Sequence, residues 1–209
     1  MDAVNELSII ILCYRAEEEI IPFAKKVKKI AQTLSDNFEI ILVGNYIEGS
    51  SDRTKEVVER IASEDNTFRT VCKPKKGMMG WDMREGLMLA DGKYLCVIDG
   101  DGQFPIESII KCFEIIKTNQ FGLVKTYRKL REDGIYRKFI SQIYNWSFSM
   151  LFPRVKSKDV NSKPKIITRE VYEKLGLTSD DWFIDAEIMI NISKLGVKYY
   201  EFPINFYKL

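Results

Sequence analysis

The chain has 209 residues, 45% of them hydrophobic, with 32 basic and 30 acidic residues for a net charge of +2. That length and apolar fraction suit one domain with a substantial core and exclude a disordered chain. Near-balanced charge gives no electrostatic footprint for nucleic acid, so no nucleic-acid partner is expected.

Histidine is absent, and the four cysteines, Cys13, Cys72, Cys96 and Cys112, stand singly. A zinc site is therefore not expected, and a reducing, cytoplasmic compartment fits best. No apolar run reaches the roughly 18 residues of a membrane span, and the N-terminus lacks a signal-peptide pattern. The expectation is a soluble chain, or one that meets a membrane only from its surface.

Short apolar runs alternate with stretches of helical period through the first half, as in repeated strand–helix units around a parallel sheet. Leu7 to Cys13 reads as a buried strand. Glu18 to Leu34 reads as a helix with Ile20, Ala24, Val27, Ile30, Ala31 and Leu34 on one face, Pro22 being tolerable near its first turn. Phe38 to Val43 is a second strand, and Asp52 to Ile61 a helix that Asp52 is placed to cap. Thr67 to Cys72, Trp81 to Ala90 and Lys93 to Ile98 continue the alternation as strand, helix and strand.

That last strand runs into Asp99-Gly100-Asp101-Gly102-Gln103. Ligands of open α/β sheets bind outside the carboxyl ends of the strands, so chemistry is expected here. Two carboxylates one residue apart can face one hard cation, which bridges the oxygens of a diphosphate, and Gln103 offers a neutral oxygen. The same residues also suit an ordinary turn. A second acidic turn, Glu48-Gly49-Ser50-Ser51-Asp52, follows strand two.

Ile106 to Lys117 reads as a helix and Phe121 to Tyr127 as a strand, followed by a basic linker from Arg128. The aromatic stretch Phe139 to Phe152 fits either a core helix or an interfacial one. Lys165 to Thr168 is a short strand, Asp185 to Leu195 a helix ended by Gly196, and Val197 to Phe202 a last strand closed by Pro203.

Taken in order, these segments resemble the inverting family-2 glycosyltransferases, and within them the polyprenyl-phosphate (dolichol-phosphate mannose synthase-like) group. The likeness rests on Leu7 to Tyr14, Glu48 to Asp52, Gly86 to Gly92, Asp99 to Gln103, Asp159 to Arg169, Trp182 to Glu187 and Gly196 to Pro203. It implies a GT-A fold: a single Rossmann-like α/β domain with a mostly parallel sheet flanked by helices. It further implies a nucleotide-sugar donor, Mg²⁺ or Mn²⁺ on Asp99, Asp101 and Gln103, and a polyprenyl-phosphate acceptor with peripheral membrane contact. Tyr14, Glu48, Ser50, Asp99 and Gly100 would line the donor site, and Arg128 and Arg137 would contact phosphate.

Asp185 and Glu187 are candidates for the acceptor side. A lipid phosphate is already an anion and needs no general base. A saccharide hydroxyl would need one, for which Asp185 or Asp159 are the candidates. The chain departs from the family at Leu12-Cys13-Tyr14-Arg15-Ala16, in the long loop to Glu48, and at Lys75 to Asp82. Base preference therefore does not carry over, and a nucleotidyltransferase or a non-catalytic nucleotide-binding module remain alternatives.

Overall fold

The computed structural model describes residues 5–131, 143 and 146–207. A seven-stranded sheet in the order β3-β2-β1-β4-β6-β5-β7 organises the chain. Its strands are β1 (Asn5–Leu12), β2 (Phe38–Val43), β3 (Phe68–Val71), β4 (Gly92–Asp99), β5 (Leu123–Arg131), β6 (Lys165–Thr168) and β7 (Tyr199–Phe206). The ladders β1–β2, β1–β4, β2–β3 and β5–β7 are parallel, and β6 runs antiparallel to both of its neighbours.

Helices cover both faces. On one lie α1 (Ile20–Leu34), α2 (Thr54–Glu64) and α4 (Ser108–Thr118), which pack on Leu7, Ile9, Ile11, Ile40 and Cys96. On the other, α3 (Met79–Leu89), α5 (Arg169–Leu175) and α6 (Ile184–Lys194) pack on Ile10, Ile41, Leu95, Val97 and Ile167. Strands buried on both faces must be apolar throughout, which is why β1 ends in the unbroken run Ile9-Ile10-Ile11-Leu12. The stripe expected on α1 is buried at Ile20, Ala24, Val27 and Ala31, and Pro22 sits in the first turn, where its missing N–H costs no helical bond.

Two expectations shift. The last strand continues through Pro203 to Phe206, because β7 is an edge strand paired only with β5 and an edge tolerates a residue without an N–H. Secondly, the aromatic stretch is split rather than uniformly core: residues 146–151 are helical, Phe148 is buried, and Trp146, Met150 and Leu151 are exposed. The rest of that stretch lies outside the described residues apart from Ile143 and Phe152. α5, which the sequence reading did not separate, starts at Thr168, whose hydroxyl accepts from Val171 N at 3.3 Å, and ends at Gly176 in the left-handed conformation. No helix among the described residues is long and apolar enough to cross a membrane.

Candidate functional site

Parallel register sets the site. Leu12 on β1 is opposite Val43 on β2 and Asp99 on β4, so three strand ends finish level at one sheet edge. Beyond that edge lies a cavity of about 570 Å³, lined by Leu12, Tyr14, Ile47, residues 75–79, Asp82, residues 99–101 and Trp182. Asp99 and Asp101 thus face one space. Asp101 is exposed and accepts a 3.0 Å hydrogen bond from Gln103 N. Desolvation by surrounding protein, with the neighbouring Asp99 charge adding to it, raises its pKa above the ordinary carboxylate value. The turn closes at Gly102, whose φ of +73° is strained for any residue with a side chain.

The opposite wall comes from the segment before α3. Lys75 forms an ion pair with Asp82 and lies 4.9 Å from the centroid of the Tyr14 ring. Asn45 donates to Asp82 Oδ1 at 2.9 Å and accepts from Lys73 N at 2.8 Å. Burial raises the Asp82 pKa despite the contributions of Lys75 and Asn45. The start of α3 is held by carbonyls from the 180s: Met78 N and Trp81 N donate to Asp180 O, and Gly80 N to Asp181 O. These N–H groups are therefore engaged by protein rather than open to an anion. At Gly80 a Cβ would come 2.5 Å from Ser179 O, so only glycine lets this loop close down and bring Trp182 over the cavity.

Behind Asp99 lies a buried ionic cluster that the sequence reading missed. Lys125, Lys163 and Lys165 are all essentially inaccessible, as is Asp185 on α6. Lys163 Nζ lies 3.2 Å from Asp99 Oδ1 and 3.4 Å from Asp185 Oδ2, while Lys165 pairs with Asp185 Oδ1 and donates to Val160 O at 2.8 Å. Lys125 donates to Thr126 O at 2.9 Å and to Asp159 O, with Glu201 at 3.6 Å. Burial pulls Lys165 down to about 7 against the attraction of Asp185, and the charges of Lys125 and Lys163 add to that pull. Burial alone would push Asp185 up, but Lys163 and Lys165 outweigh it and hold it below the ordinary carboxylate range.

Several residues singled out from the sequence stand away from the cavity. Arg128 forks Asp159, with Nε at 2.6 Å and Nη2 at 2.8 Å, and neither lines the cavity. Asp159 is held below its ordinary value because this pairing outweighs the upward push of burial. Glu187 accepts from Thr178 N and Ser179 N at 3.0 and 2.9 Å and so anchors their loop. Glu48 and Ser50 are exposed in the turn, and Ile47 reaches the cavity in their place. Asp52, expected to cap α2, stands one residue ahead of the cap position, which Arg53 holds without a side-chain cap bond, and accepts from Thr54 N at 3.0 Å. Gln103 lies behind Asp101, its Nε2 donating to Tyr207 O at 3.3 Å. Arg137 lies outside the described residues.

Asp99 and Asp101 offer carboxylate oxygens to the cavity, which suit a hard cation, while Asp82, the third carboxylate lining it, is paired with Lys75. The described residues contain no group of three or more His, Cys, Asp or Glu able to hold a metal. A cation on Asp99 and Asp101 would take its remaining oxygens from a ligand or water, the usual arrangement where Mg²⁺ accompanies phosphates.

Known proteins resemble this chain in sequence and in fold. Undecaprenyl-phosphate 4-deoxy-4-formamido-L-arabinose transferase of Proteus mirabilis is 29% identical over 147 residues, covering 69% of this chain and 43% of its own. Dolichyl-phosphate beta-glucosyltransferase of Dictyostelium discoideum is 26% identical, with 95% of this chain and 65% of its own covered. The chain thus spans less than half the length of the first of these relatives. Among solved structures, glucosyl-3-phosphoglycerate synthase from Mycobacterium tuberculosis, in complex with Mn²⁺, UDP and phosphoglyceric acid, superposes with a TM-score of 0.75 at 17% identity. That likeness covers 98% of this chain and 70% of the other, and it is one of fold, the GT-A arrangement expected from the sequence. The sequence pattern of glycosyl transferase family 2 matches residues 8–176, and the chain belongs to that family.

Proposed function

We propose that the chain binds a nucleotide-sugar in the 570 Å³ cavity and transfers the sugar, with inversion, to a polyprenyl phosphate. The observation that carries this reading is the convergence of Asp99 and Asp101 on one cavity at the carboxyl edge of the sheet, between the Tyr14 and Trp182 walls. Tyr14 and the Lys75–Asp82 pair receive the nucleoside end of the donor. Asp99 and Asp101 are the groups that would hold Mg²⁺ or Mn²⁺, with Gln103 turned instead to Tyr207. A cation there neutralises charge developing on the leaving nucleoside diphosphate.

The nature of the acceptor follows from which carboxylates are engaged. Asp159 and Asp185, the candidates for deprotonating a hydroxyl, are respectively forked by Arg128 and enclosed with two lysines, away from the cavity. An acceptor that is already an anion needs neither. This favours a lipid phosphate over a saccharide hydroxyl, in line with the acceptors for which the sequence relatives are named.

Ile143, Trp146 and Met150 follow one another at helical spacing and are 47%, 66% and 64% exposed, and Leu151 continues the patch. Arg154, Lys156 and Lys158, all exposed, follow directly. Apolar side chains beside a basic segment suit the surface of an anionic bilayer, where the acceptor would reside. Wild-type protein is expected to sediment with vesicles containing phosphatidylglycerol. Trp146→Ser with Met150→Ser should weaken this about tenfold or more, since each large side chain contributes ~1.5–3 kcal/mol on burial. Equal sedimentation of both proteins would remove this surface from the account.

The donor is identified by thermal shift with GDP-, UDP-, dTDP- and CDP-sugars, with and without Mn²⁺. A ligand that occupies the native state raises Tm by mass action. The expected result is Mn²⁺-dependent stabilisation by one nucleotide class. No shift with any donor would overturn the reading.

A further inference from the structure

In the antiparallel β4–β6 ladder Val97 is opposite Lys165. β6 begins at Lys165, and Lys163 lies in the bend just before it. Lys163 and Lys165 both reach Asp185 on α6, which stands between them. The Lys163 ammonium lies 3.2 Å from Asp99 Oδ1 and 3.3 Å from Oδ2, with Asp185 Oδ2 at 3.4 Å and Met79 Sδ at 3.3 Å. Its side chain is 2% exposed, so it cannot turn to water without abandoning both carboxylates. The enclosure fixes a positive charge against Asp99, one of the three carboxylates that line the cavity.

A divalent cation entering alone meets Asp101, an Asp99 already neutralised, and a like charge behind it. Asp185, 3.4 Å from the same ammonium, offsets part of that charge from the far side, but among the described residues no third carboxylate joins Asp99 and Asp101 as a ligand. A cation that arrives with a diphosphate brings its own anionic oxygens.

We propose that Lys163 is a positioning residue that makes cation binding depend on the nucleotide: it balances Asp99 until the diphosphate arrives, so that metal and donor bind as one unit. This rests on the reading of Asp99 and Asp101 as the cation's ligands.

The test measures free Mn²⁺ by electron paramagnetic resonance, with and without saturating UDP, for the wild type, Lys163→Met, Lys163→Arg and Asp101→Ala. Wild type is expected to bind Mn²⁺ at least about tenfold more tightly with UDP than without, a coupling of ordinary size. Lys163→Met should bind Mn²⁺ alone about tenfold more tightly than wild type and lose most of its dependence on UDP, while Lys163→Arg keeps it. If Lys163→Met does not fold, Lys163→Gln, which removes the charge but keeps a hydrogen-bond donor for Asp99 and leaves the Lys165–Asp185 pair intact, takes its place. Unchanged affinity for Mn²⁺ alone in the variant overturns the proposal. Mn²⁺ binding that persists in Asp101→Ala overturns instead the ligand assignment beneath it. If UDP binds no variant, the donor reading fails, and the comparison with Mn²⁺ alone still decides the role of Lys163.

Discussion

Asp101→Ala is expected to lower sugar transfer by about a thousandfold or more while leaving Tm within a few degrees of wild type. Loss of Lewis-acid stabilisation is worth several kcal/mol, and each 1.36 kcal/mol is tenfold in rate. The folded state, by contrast, has little to lose. Asp101 is exposed, and among the described residues its carboxylate has no ion-pair partner and accepts one hydrogen bond, from Gln103 N. Removing it also relieves repulsion with Asp99, the charge that helps raise its pKa. Initial rates with saturating donor and acceptor, read beside a thermal melt of the same preparation, check both halves. A variant within tenfold of wild-type activity would show that the turn after β4 is only a turn.

The opposite pattern is expected at Asp185, where stability falls first. Asp185→Asn leaves Lys163 and Lys165 buried with their shared counter-ion gone. Breaking a buried pair from one side costs about 3–5 kcal/mol because the remaining charge is uncompensated. Adding Lys165→Met should recover much of the loss, since it removes an ammonium that burial already disfavours. The pH dependence has a definite sign. Asp185 and Asp159 titrate lower in the folded state than in the unfolded chain, whose carboxylates take up protons near about pH 4. Their contribution is complete above that range and is lost as pH falls through the folded values. Urea midpoints between pH 3 and pH 7 should therefore drop at the acid end for wild type and less steeply for Asp185→Asn. Matching midpoints for the two proteins at pH 7 would mean that the cluster contributes nothing to stability.

The strands and the turn at Asp99 were legible because their signals are local. Ile9-Ile10-Ile11-Leu12 and Tyr94-Leu95-Cys96-Val97-Ile98 are contiguous apolar runs, and Asp99-Gly100-Asp101 follows the second of them directly. What escaped was set by long-range register. Nothing local marks Lys163 and Lys165 as buried, and they become so because an antiparallel strand, β6, enters between β4 and β5, setting Lys165 opposite Val97 and Lys125 with Lys163 in the bend just before it. Their partner Asp185 comes from a helix about twenty residues further on. Arg128 and Asp159 were each singled out as ligand or base candidates, and the fold joins them to one another across 31 residues. The cavity wall at Lys75–Asp82 could not be read from the family because this chain departs from the family pattern there. Gly77 and Gly80 were its one local signal, and their role becomes visible only against the carbonyls of Ser179, Asp180 and Asp181.

The account stands most directly on transfer itself. Protein is incubated with radiolabelled sugar nucleotide of the class found by thermal shift and with undecaprenyl phosphate in detergent, with Mn²⁺ or with EDTA, and label is counted in the organic phase. The prediction is Mn²⁺-dependent appearance of lipid-linked sugar that EDTA abolishes and Asp101→Ala lacks. Donor binding with no label transferred to lipid phosphate, under conditions where wild type is folded, would contradict it.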